Sequence, residues 1–250
     1  IMNIRYDALD KLFYLLEDPK KILNVMRTGK FSAASYIMCS RLSNVIDSPD
    51  LIIDVGANIG QFSSSVANFF PKAEVHSFEP IPECYQILLK NTEKLPNIKT
   101  YNFAVGSSDK NIEFFINADV QASSALKTSE LRLEIFPDKY EIATIEVEQK
   151  CLDTVYAGRA FGENCLLKMD VQGLEIDVLK GAVNSLAGIR YILLEASVNP
   201  MYEGEVCLQD MITFTENLGF KLRNIIQGSR SPTTKTFIEF DLLFEAIPHE

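Results

Sequence analysis

The chain has 250 residues, a length typical of one large domain with a small extension at most. Hydrophobic residues make up 47% of it, which is enough to bury a sizeable core and excludes a disordered chain. A formal net charge of -10 argues against a general nucleic-acid binder and against charge-driven docking on anionic lipid.

The sequence also gives expectations about its compartment. Five cysteines are scattered along the chain without a C-x-x-C pair, a pattern that indicates neither a disulfide framework nor a zinc site. No basic segment followed by an apolar stretch opens the sequence, and no apolar run approaches the roughly 18 residues that cross a bilayer. We therefore expect a cytoplasmic protein without a membrane span.

The first predicted elements are helical. Apolar residues recur at helical spacing within residues 4–46, with the second helix over about 31–45. A turn at residues 47–50 marks a boundary, so we predict an N-terminal helical extension over 1–48 and a second domain over 49–250. The extension can be a cap packed on that domain, a homodimer surface or part of a substrate mouth, and the pattern leaves these three open.

From residue 51 onward the chain alternates strand and helix. The segments "LIIDV", "EVHSFE" and "IKTYNFAV" predict strands, and "QFSSSVANFF" and "PECYQILLKNTEKL" between them predict helices. This rhythm is that of βαβ units, which place their strands side by side in a parallel sheet. The sequence therefore predicts an α/β fold.

The alternation is interrupted over residues 106–165. Two predicted strands, "NIEFFINA" and "ATIEVE", enclose a polar stretch, and we interpret the segment as an insertion and a candidate substrate lid. The alternation resumes with "CLLKMDV", "LEIDVLKGAVNSL", "RYILLEAS" and "LQDMITFTENLGF". The closing strands "KLRNIIQ" and "FIEFDLLFE" flank a turn, which predicts an antiparallel hairpin at one edge of the sheet.

The turn after the first strand carries a functional signal. Ligands of open α/β sheets bind beyond the carboxyl ends of the strands, where this turn lies. Asn58 stands at the middle glycine of a G-x-G-x-x-G dinucleotide fingerprint, and Asp54 would repel a pyrophosphate but suits a cationic ligand. Glu79 follows Gly56 by 23 residues, near the spacing at which an acid binds ribose hydroxyls. A ribose together with a cation describes S-adenosylmethionine.

Five motifs then give a family resemblance. The segments "IIDVGANIGQFS", "VHSFEPIPECYQILLKN", "NFAVGSSD", "CLD" and "LLKMDVQGLEIDVLKGA" follow one another as in FkbM-type methyltransferases, which the sequence resembles from about residue 50 to its end. The resemblance implies a class I methyltransferase fold, Rossmann-like, with a seven-stranded, mostly parallel sheet and helices on both faces. It also implies S-adenosylmethionine as cofactor and methylation of a hydroxyl on a sugar, a glycan or another small metabolite. In one departure, Gln172 stands where the family's K-x-D-x-E-G pattern has glutamate.

The cofactor residues are expected at successive strand ends. They comprise the glycine loop, the acidic turn after the second strand, the end of the third strand, a serine of the insertion and the aspartate of "LLKMD". These residues are Asp54, Gly56, Ala57, Asn58, Gly60, Glu79, Pro80, Ala104, Val105, Ser124 and Asp170.

Carboxylates at strand ends are the candidate catalysts, because a hydroxyl attacks a methyl group well only when its proton leaves. Lys168 and Asp170 share one face of their strand, since strand side chains alternate. We predict that Asp170 orients or deprotonates the acceptor hydroxyl and that Lys168 pairs with a neighbouring acid. Glu195, which follows on the next strand, is either that partner or the base itself. A purely structural Lys168–Asp170 ion pair stays an alternative.

Three other interpretations are open. Asp170, Glu195 and Asn199 provide oxygen ligands that would suit Mg²⁺. An NAD-dependent oxidoreductase uses a similar sheet, although Asn58 and the lack of an evident Tyr-x-x-x-Lys pair argue against it. A non-catalytic protein that keeps the cofactor pocket is the third, and Gln172 favours it.

Overall fold

A computed structural model describes residues 32–248 of the chain. Its helices are α1 Ala33–Leu42, α2 Gln61–Phe69, α3 Pro82–Thr92, α4 Glu130–Ile135, α5 Leu152–Val155, α6 Glu175–Lys180 and α7 Leu208–Asn217. Its strands are β1 Leu51–Val55, β2 Glu74–Phe78, β3 Ile98–Tyr101, β4 Ala104–Val105, β5 Lys110–Asn117, β6 Glu141–Lys150, β7 Cys165–Met169, β8 Tyr191–Ser197, β9 Phe220–Arg230 and β10 Phe237–Ala246. None of the helices between residues 32 and 248 has the length and hydropathy needed to cross a membrane.

Seven of these strands form the main sheet, in the order β3-β2-β1-β7-β8-β10-β9. Strands β3, β2, β1, β7 and β8 pair in parallel, each with its neighbour in that order. Strand β10 runs antiparallel to both β8 and β9. The predicted seven-stranded, mostly parallel sheet is confirmed. The strand order reverses between β1 and β7, so their carboxyl ends meet at the switch point where such sheets bind ligands.

Each face of the main sheet has its own core. Alternate residues of β1 point to opposite faces, so Ile53 packs with Val178 of α6, whereas Ile52 packs with Phe62 of α2. A parallel sheet covered by helices on both faces needs apolar residues at almost every position of its central strands. Two charged side chains break this rule in β1 and β7, and they belong to the site described below.

Helix α1 packs on the main domain. The Ser32 hydroxyl accepts the backbone N–H of Ser35 at 3.3 Å and caps the helix. Cys39 and Leu42 are fully buried in the core that α1 shares with α2. Ser32, Ser35 and Met38 also line the cavity at the edge of the main sheet. The first helix predicted for the extension lies outside the described residues.

Two predicted elements are wrong in extent. The segment "IKTYNFAV" is not one strand, because the Asn102 side chain donates to the backbone oxygens of Glu79 at 2.9 Å and Pro80 at 3.1 Å. The chain turns there, so β3 stays in the main sheet and β4 enters a second sheet. The helix predicted over 174–186 ends at Lys180, and a separate 3-10 turn follows later.

The predicted insertion forms the second sheet, in which β6 lies between β4 and β5. Strands β5 and β6 are antiparallel, and β4 pairs with β6 in parallel. Phe114 and Val147 on the inner face of this sheet pack with Ile81 and Ala104. Buried apolar contact therefore holds the insertion against the turn that follows β2.

We expect Gly181→Ala to destabilise the protein more than Gly158→Ala. A Cβ on Gly181 would lie 2.0 Å from the backbone oxygen of Gly106, so the insertion would have to move away from α6, at a cost of about 3 kcal/mol. Gly158 has open space around it, and its positive φ alone makes alanine cost about 1 kcal/mol. Urea unfolding followed by circular dichroism measures both, and equal losses would show that the Gly106 contact is not restrictive.

Candidate active site

A cavity of about 320 Å³ lies at the carboxyl ends of the central strands. Its walls come from the loop after β1, the turn after β2, the ends of β7, β8 and β10, the insertion and α1. This is the edge at which the strand order reverses, the usual ligand site of such a sheet. Eight of the eleven predicted cofactor residues line it: Gly56, Ala57, Asn58, Glu79, Pro80, Ala104, Val105 and Asp170.

The loop after β1 adopts backbone conformations that few residues tolerate. Gly56 has φ 78° and passes so close to β7 that a Cβ would lie 1.9 Å from the backbone oxygen of Asp170. Asn58 has φ 50°, in the left-handed region that asparagine enters more readily than most residues. Its Oδ1 accepts the N–H of Ile59 at 2.7 Å, which rigidifies the turn. An amide side chain therefore occupies the position where a dinucleotide loop has a glycine.

Glu79 meets this loop from the end of β2. Its two carboxylate oxygens accept the backbone N–H groups of Asn58 and Ile81, each at 2.8 Å. Burial raises the pKa of Glu79 to about 7 in spite of these hydrogen bonds. Each carboxylate oxygen has a further lone pair, so Glu79 can still accept hydrogen bonds from ligand hydroxyls.

Apolar side chains line the cavity next to Glu79. Ile81, Ala104, Ile112 and Phe114 belong to one hydrophobic cluster that reaches the cavity wall. Such a wall beside a buried carboxylate fits a ligand that joins a flat ring to a ribose. These residues therefore fit the adenosine part of S-adenosylmethionine.

A buried ion pair lies behind the glycine loop. Asp54 and Lys168 face each other in the register of β1 and β7, and Lys168 Nζ lies 3.0 Å from Asp54 Oδ1. The other oxygen of Asp54 accepts the Ser63 hydroxyl at 2.5 Å, and Lys168 Nζ also donates to the Gly56 oxygen at 3.3 Å. Burial lowers the pKa of Lys168, but the charges of Asp54 and Asp170 outweigh it and raise that pKa above its usual value.

This pair changes the roles expected for its members. Asp54 is fully buried and is not part of the cavity wall; Lys168 Nζ lies 3.0 Å from one of its oxygens, and the other accepts the Ser63 hydroxyl. That placement differs from the predicted direct contact between Asp54 and a cationic ligand. Lys168 pairs closely with Asp54 and only loosely with Asp170, at 3.9 Å. Within residues 32–248 it forms no ion pair with Glu195, so of the two roles considered for Glu195 the structure excludes that of the Lys168 partner, and the role of base stays a prediction.

Two predicted catalytic carboxylates meet at the ends of β7 and β8. The Gln172 side-chain nitrogen donates to Asp170 Oδ1 at 2.7 Å and to Glu195 Oε1 at 3.3 Å. The Asp170 side chain is 41% exposed and lines the cavity, so a ligand can reach it. Burial, together with the charges of Glu239 and Asp170, raises the pKa of Glu195 well above its usual range. Both carboxylates line the cavity, and Glu195 holds a proton more tightly than a carboxyl group in water does.

Strand β10 adds two acids that were not predicted. Asp241 lies directly opposite Glu195 in the sheet, and Glu239 lies two residues earlier on the same face; both line the cavity. Burial and the charge of Asp170 raise the pKa of Asp241 to about 7, and burial also raises that of Glu239. The alternation within "FIEFDLLFE" is the sequence signal that could have predicted both acids on one face of the strand.

The insertion contributes a cation that was also not predicted. Arg132 of α4 is 6% exposed and lines the cavity. Its Nη2 donates to Gln172 Oε1 at 3.2 Å, and the Tyr202 hydroxyl contacts the same oxygen at 2.6 Å. These contacts join irregular segments far apart in the chain, and no periodicity in the sequence indicates them.

Two other predicted cofactor residues lie off the cavity wall. Ser124 is buried and donates to the backbone oxygen of Gln172 at 2.7 Å, while its neighbour Ser123 lines the cavity. Gly60 has φ 88° and forms the N-cap of α2. Both residues lie next to wall segments and do not line the cavity themselves.

The structure gives no support to the Mg²⁺ alternative. Asp170 and Glu195 line the cavity, but Asn199 is exposed and is not part of its wall. Across residues 32–248, no group of three or more His, Cys, Asp and Glu side chains is arranged to hold a metal ion.

The fold and this site define a class of enzyme. A doubly wound sheet with a glycine loop after β1 and a buried acid after β2 is the architecture of class I methyltransferases, which use S-adenosylmethionine. The model of the methyltransferase FkbM domain matches residues 54–222, and the chain belongs to this family. The matched stretch runs from the glycine loop through the insertion to the start of β9.

Several methyltransferases match part of this chain with 27–29% sequence identity. The 2-O-methyltransferase NoeI of Sinorhizobium fredii is 27% identical over 69% of this chain and 74% of its own length. Methyltransferase sdnD of Sordaria araneosa is 28% identical over 57% of this chain and 64% of its own. Hexuronic acid methyltransferase AglP of Haloferax volcanii is 29% identical over 60% of this chain and 58% of its own.

We expect Lys168→Met to lower the free energy of unfolding by about 3–5 kcal/mol, because it leaves the Asp54 carboxylate buried without a counter-charge. Urea denaturation at constant pH measures the loss. The double variant Asp54→Asn/Lys168→Met removes the buried charge as well and should recover part of the stability. A double variant as unstable as Lys168→Met alone would show that packing, not charge, is responsible.

Proposed function

We propose that the protein is an S-adenosylmethionine-dependent O-methyltransferase whose acceptor is a hydroxyl of a sugar, a glycan or a small metabolite. The observation that carries this proposal is one cavity lined both by the cofactor loop with Glu79 and by the accessible carboxylate of Asp170. The printed names of two relatives, a 2-O-methyltransferase and a hexuronic acid methyltransferase, support it.

Three groups of residues hold the cofactor in this proposal. The backbone of Gly56, Ala57 and Asn58 forms the floor, Glu79 accepts the ribose hydroxyls, and the apolar cluster contacts the base. When bound, S-adenosylmethionine supplies an electrophilic methyl group on a sulfonium. Asp54 acts indirectly, since it holds Lys168 against the Gly56 carbonyl.

Asp170 acts on the acceptor. Gln172 fixes its Oδ1, while its Oδ2 lies 3.9 Å from Lys168 Nζ, too far for a direct hydrogen bond. Oδ2 is therefore available to accept the proton of an acceptor hydroxyl, a role worth about 10²–10⁴ in rate for a positioned general base. Burial raises the pKa of Glu195 well above its usual range, and this carboxyl group orients the acceptor through a hydrogen bond.

The surrounding walls exclude water. A charged nucleophile and a cationic methyl donor become neutral during the transfer, and a low-dielectric cavity favours that change. The insertion at residues 106–165 acts as the substrate lid, together with the cavity-lining side of α1. The domain boundary after residue 48, a homodimer and the cytoplasmic location stay predictions.

Calorimetric titration is expected to show micromolar binding of S-adenosylmethionine and of its demethylated product, and no binding of NAD⁺. Glu79→Ala should weaken both affinities at least about tenfold, because it removes the carboxylate that accepts hydrogen bonds from the ribose hydroxyls. Glu83→Ala, at an exposed position of α3, is the matched control. Binding of NAD⁺ alone would overturn the methyltransferase proposal.

Asp170→Asn should lower kcat about 10²–10⁴-fold while the urea unfolding transition stays in place. The assay follows transfer of a radiolabelled methyl group to a panel of sugars and phenols. Asp177→Asn changes an acid on the outer side of α6, 40% exposed, and serves as the control. Near-normal turnover by a folded Asp170→Asn variant would remove this carboxylate from the mechanism.

A further inference from the structure

Arg132 is a buried cation that no carboxylate contacts at ion-pair distance in the described part of the chain. Its side chain is 6% exposed and lines the cavity. Across residues 32–248, no Asp or Glu oxygen lies within ion-pair distance of the guanidinium, and Nε has no hydrogen-bond partner. Because a charge withdrawn from water is costly without an opposite charge, this guanidinium favours an anionic ligand in the cavity.

Neutral groups hold Arg132 in place. The guanidinium carbon lies 4.4 Å from the centre of the Tyr202 ring, and Nη2 donates to Gln172 Oε1. Because the Tyr202 hydroxyl contacts the same oxygen, the side-chain nitrogen of Gln172 is turned towards Asp170 and Glu195. The amide of Gln172 therefore orients the guanidinium without balancing its charge.

The two described lysines of the cavity wall each pair with an aspartate. Lys139 Nζ lies 3.0 Å from Asp119, and Lys168 pairs with Asp54. Among the lining residues that the structure describes, Arg132 is therefore the cation without an acidic partner.

Arg132 shares the cavity wall with several acids. Arg132 comes from the insertion, whereas Asp170, Glu195, Glu239 and Asp241 come from the ends of β7, β8 and β10. Carboxyl groups that hold a proton donate one hydrogen bond and accept others, so they suit vicinal hydroxyls. Burial raises the pKa of Glu195, Glu239 and Asp241, which lessens the repulsion between these groups and an anion bound at Arg132.

We infer that the acceptor is a polyhydroxylated carboxylic acid of the uronic acid type and that Arg132 binds its carboxylate. The inference rests on the proposed function, since it names the substrate class of the same cavity. A single guanidinium balances one negative charge, and its planar pair of N–H groups matches a carboxylate. This charge balance favours a carboxylate over a dianionic phosphate.

Matched acceptor pairs test the inference. The methyl glycosides of glucuronic, galacturonic and mannuronic acid are each compared with the 6-carboxamide, which keeps the hydroxyls and the shape but removes the charge. Transfer of a radiolabelled methyl group gives kcat/KM, and saturation-transfer NMR with the demethylated cofactor present gives binding independently. In at least one pair, the acid should be preferred at least about tenfold, the size of one charge-assisted hydrogen bond.

Three variants test whether the preference depends on Arg132, and a fourth serves as the control. Gln172→Glu is close in shape and places a carboxylate against the guanidinium, so it should cancel the preference while Arg132 is still present. Arg132→Gln should cancel it by removing the cation, and Arg132→Lys should restore part of it. Lys127→Gln removes a positive charge from an exposed position of the insertion and should change nothing. Thermal unfolding confirms that each variant is folded.

Five outcomes decide the matter. Equal use of acid and carboxamide, or failure of every pair to bind, would overturn the inference. A preference for the acid that survives in both folded variants, Arg132→Gln and Gln172→Glu, would overturn it as well. Transfer to neutral sugars alone would keep the methyltransferase and reject the carboxylate site. Acid-selective binding without any transfer would keep the carboxylate site and reject the proposed activity.

Discussion

One buried ion pair joins the two halves of the site. Lys168 and Asp54 occupy facing positions in β7 and β1, two strands whose other residues are all apolar. Neither charge is stable alone in such a core, so the pair enforces a single register between the strands. The same lysine binds the Gly56 carbonyl, and the loop that receives the cofactor is therefore attached to the strand that carries Asp170.

The sequence predicted the fold well wherever neighbours in the chain determine the structure. Strand β1 begins and ends as predicted, because its apolar run is bounded by a turn on one side and Gly56 on the other. The break between β3 and β4 was not predicted. It depends on hydrogen bonds from Asn102 to residues more than twenty positions earlier, and such contacts leave no periodic pattern.

The site was predictable to the same extent. The glycine loop and Glu79 follow consecutive strands, so their spacing along the chain reflects their spacing in the cavity. The partner of Lys168 was not predictable, because the register of two strands more than a hundred residues apart decides it. Arg132 and Tyr202 were missed for a related reason, since they lie on short or irregular segments. Gln172, whose presence favoured a non-catalytic protein, contacts both carboxylates that were predicted to be catalytic.

The close crossing of Gly56 and Asp170 has an evolutionary consequence. No side chain fits between the two backbones, so a shift of one segment displaces the other. Substitutions at this crossing would disturb cofactor binding and base alignment together, and selection has little room to vary either. New acceptor preferences must therefore arise in parts of the wall that do not touch the crossing, which are the insertion and the β9–β10 hairpin. The close crossing therefore restricts substitution at the centre of the site more than in the surrounding wall.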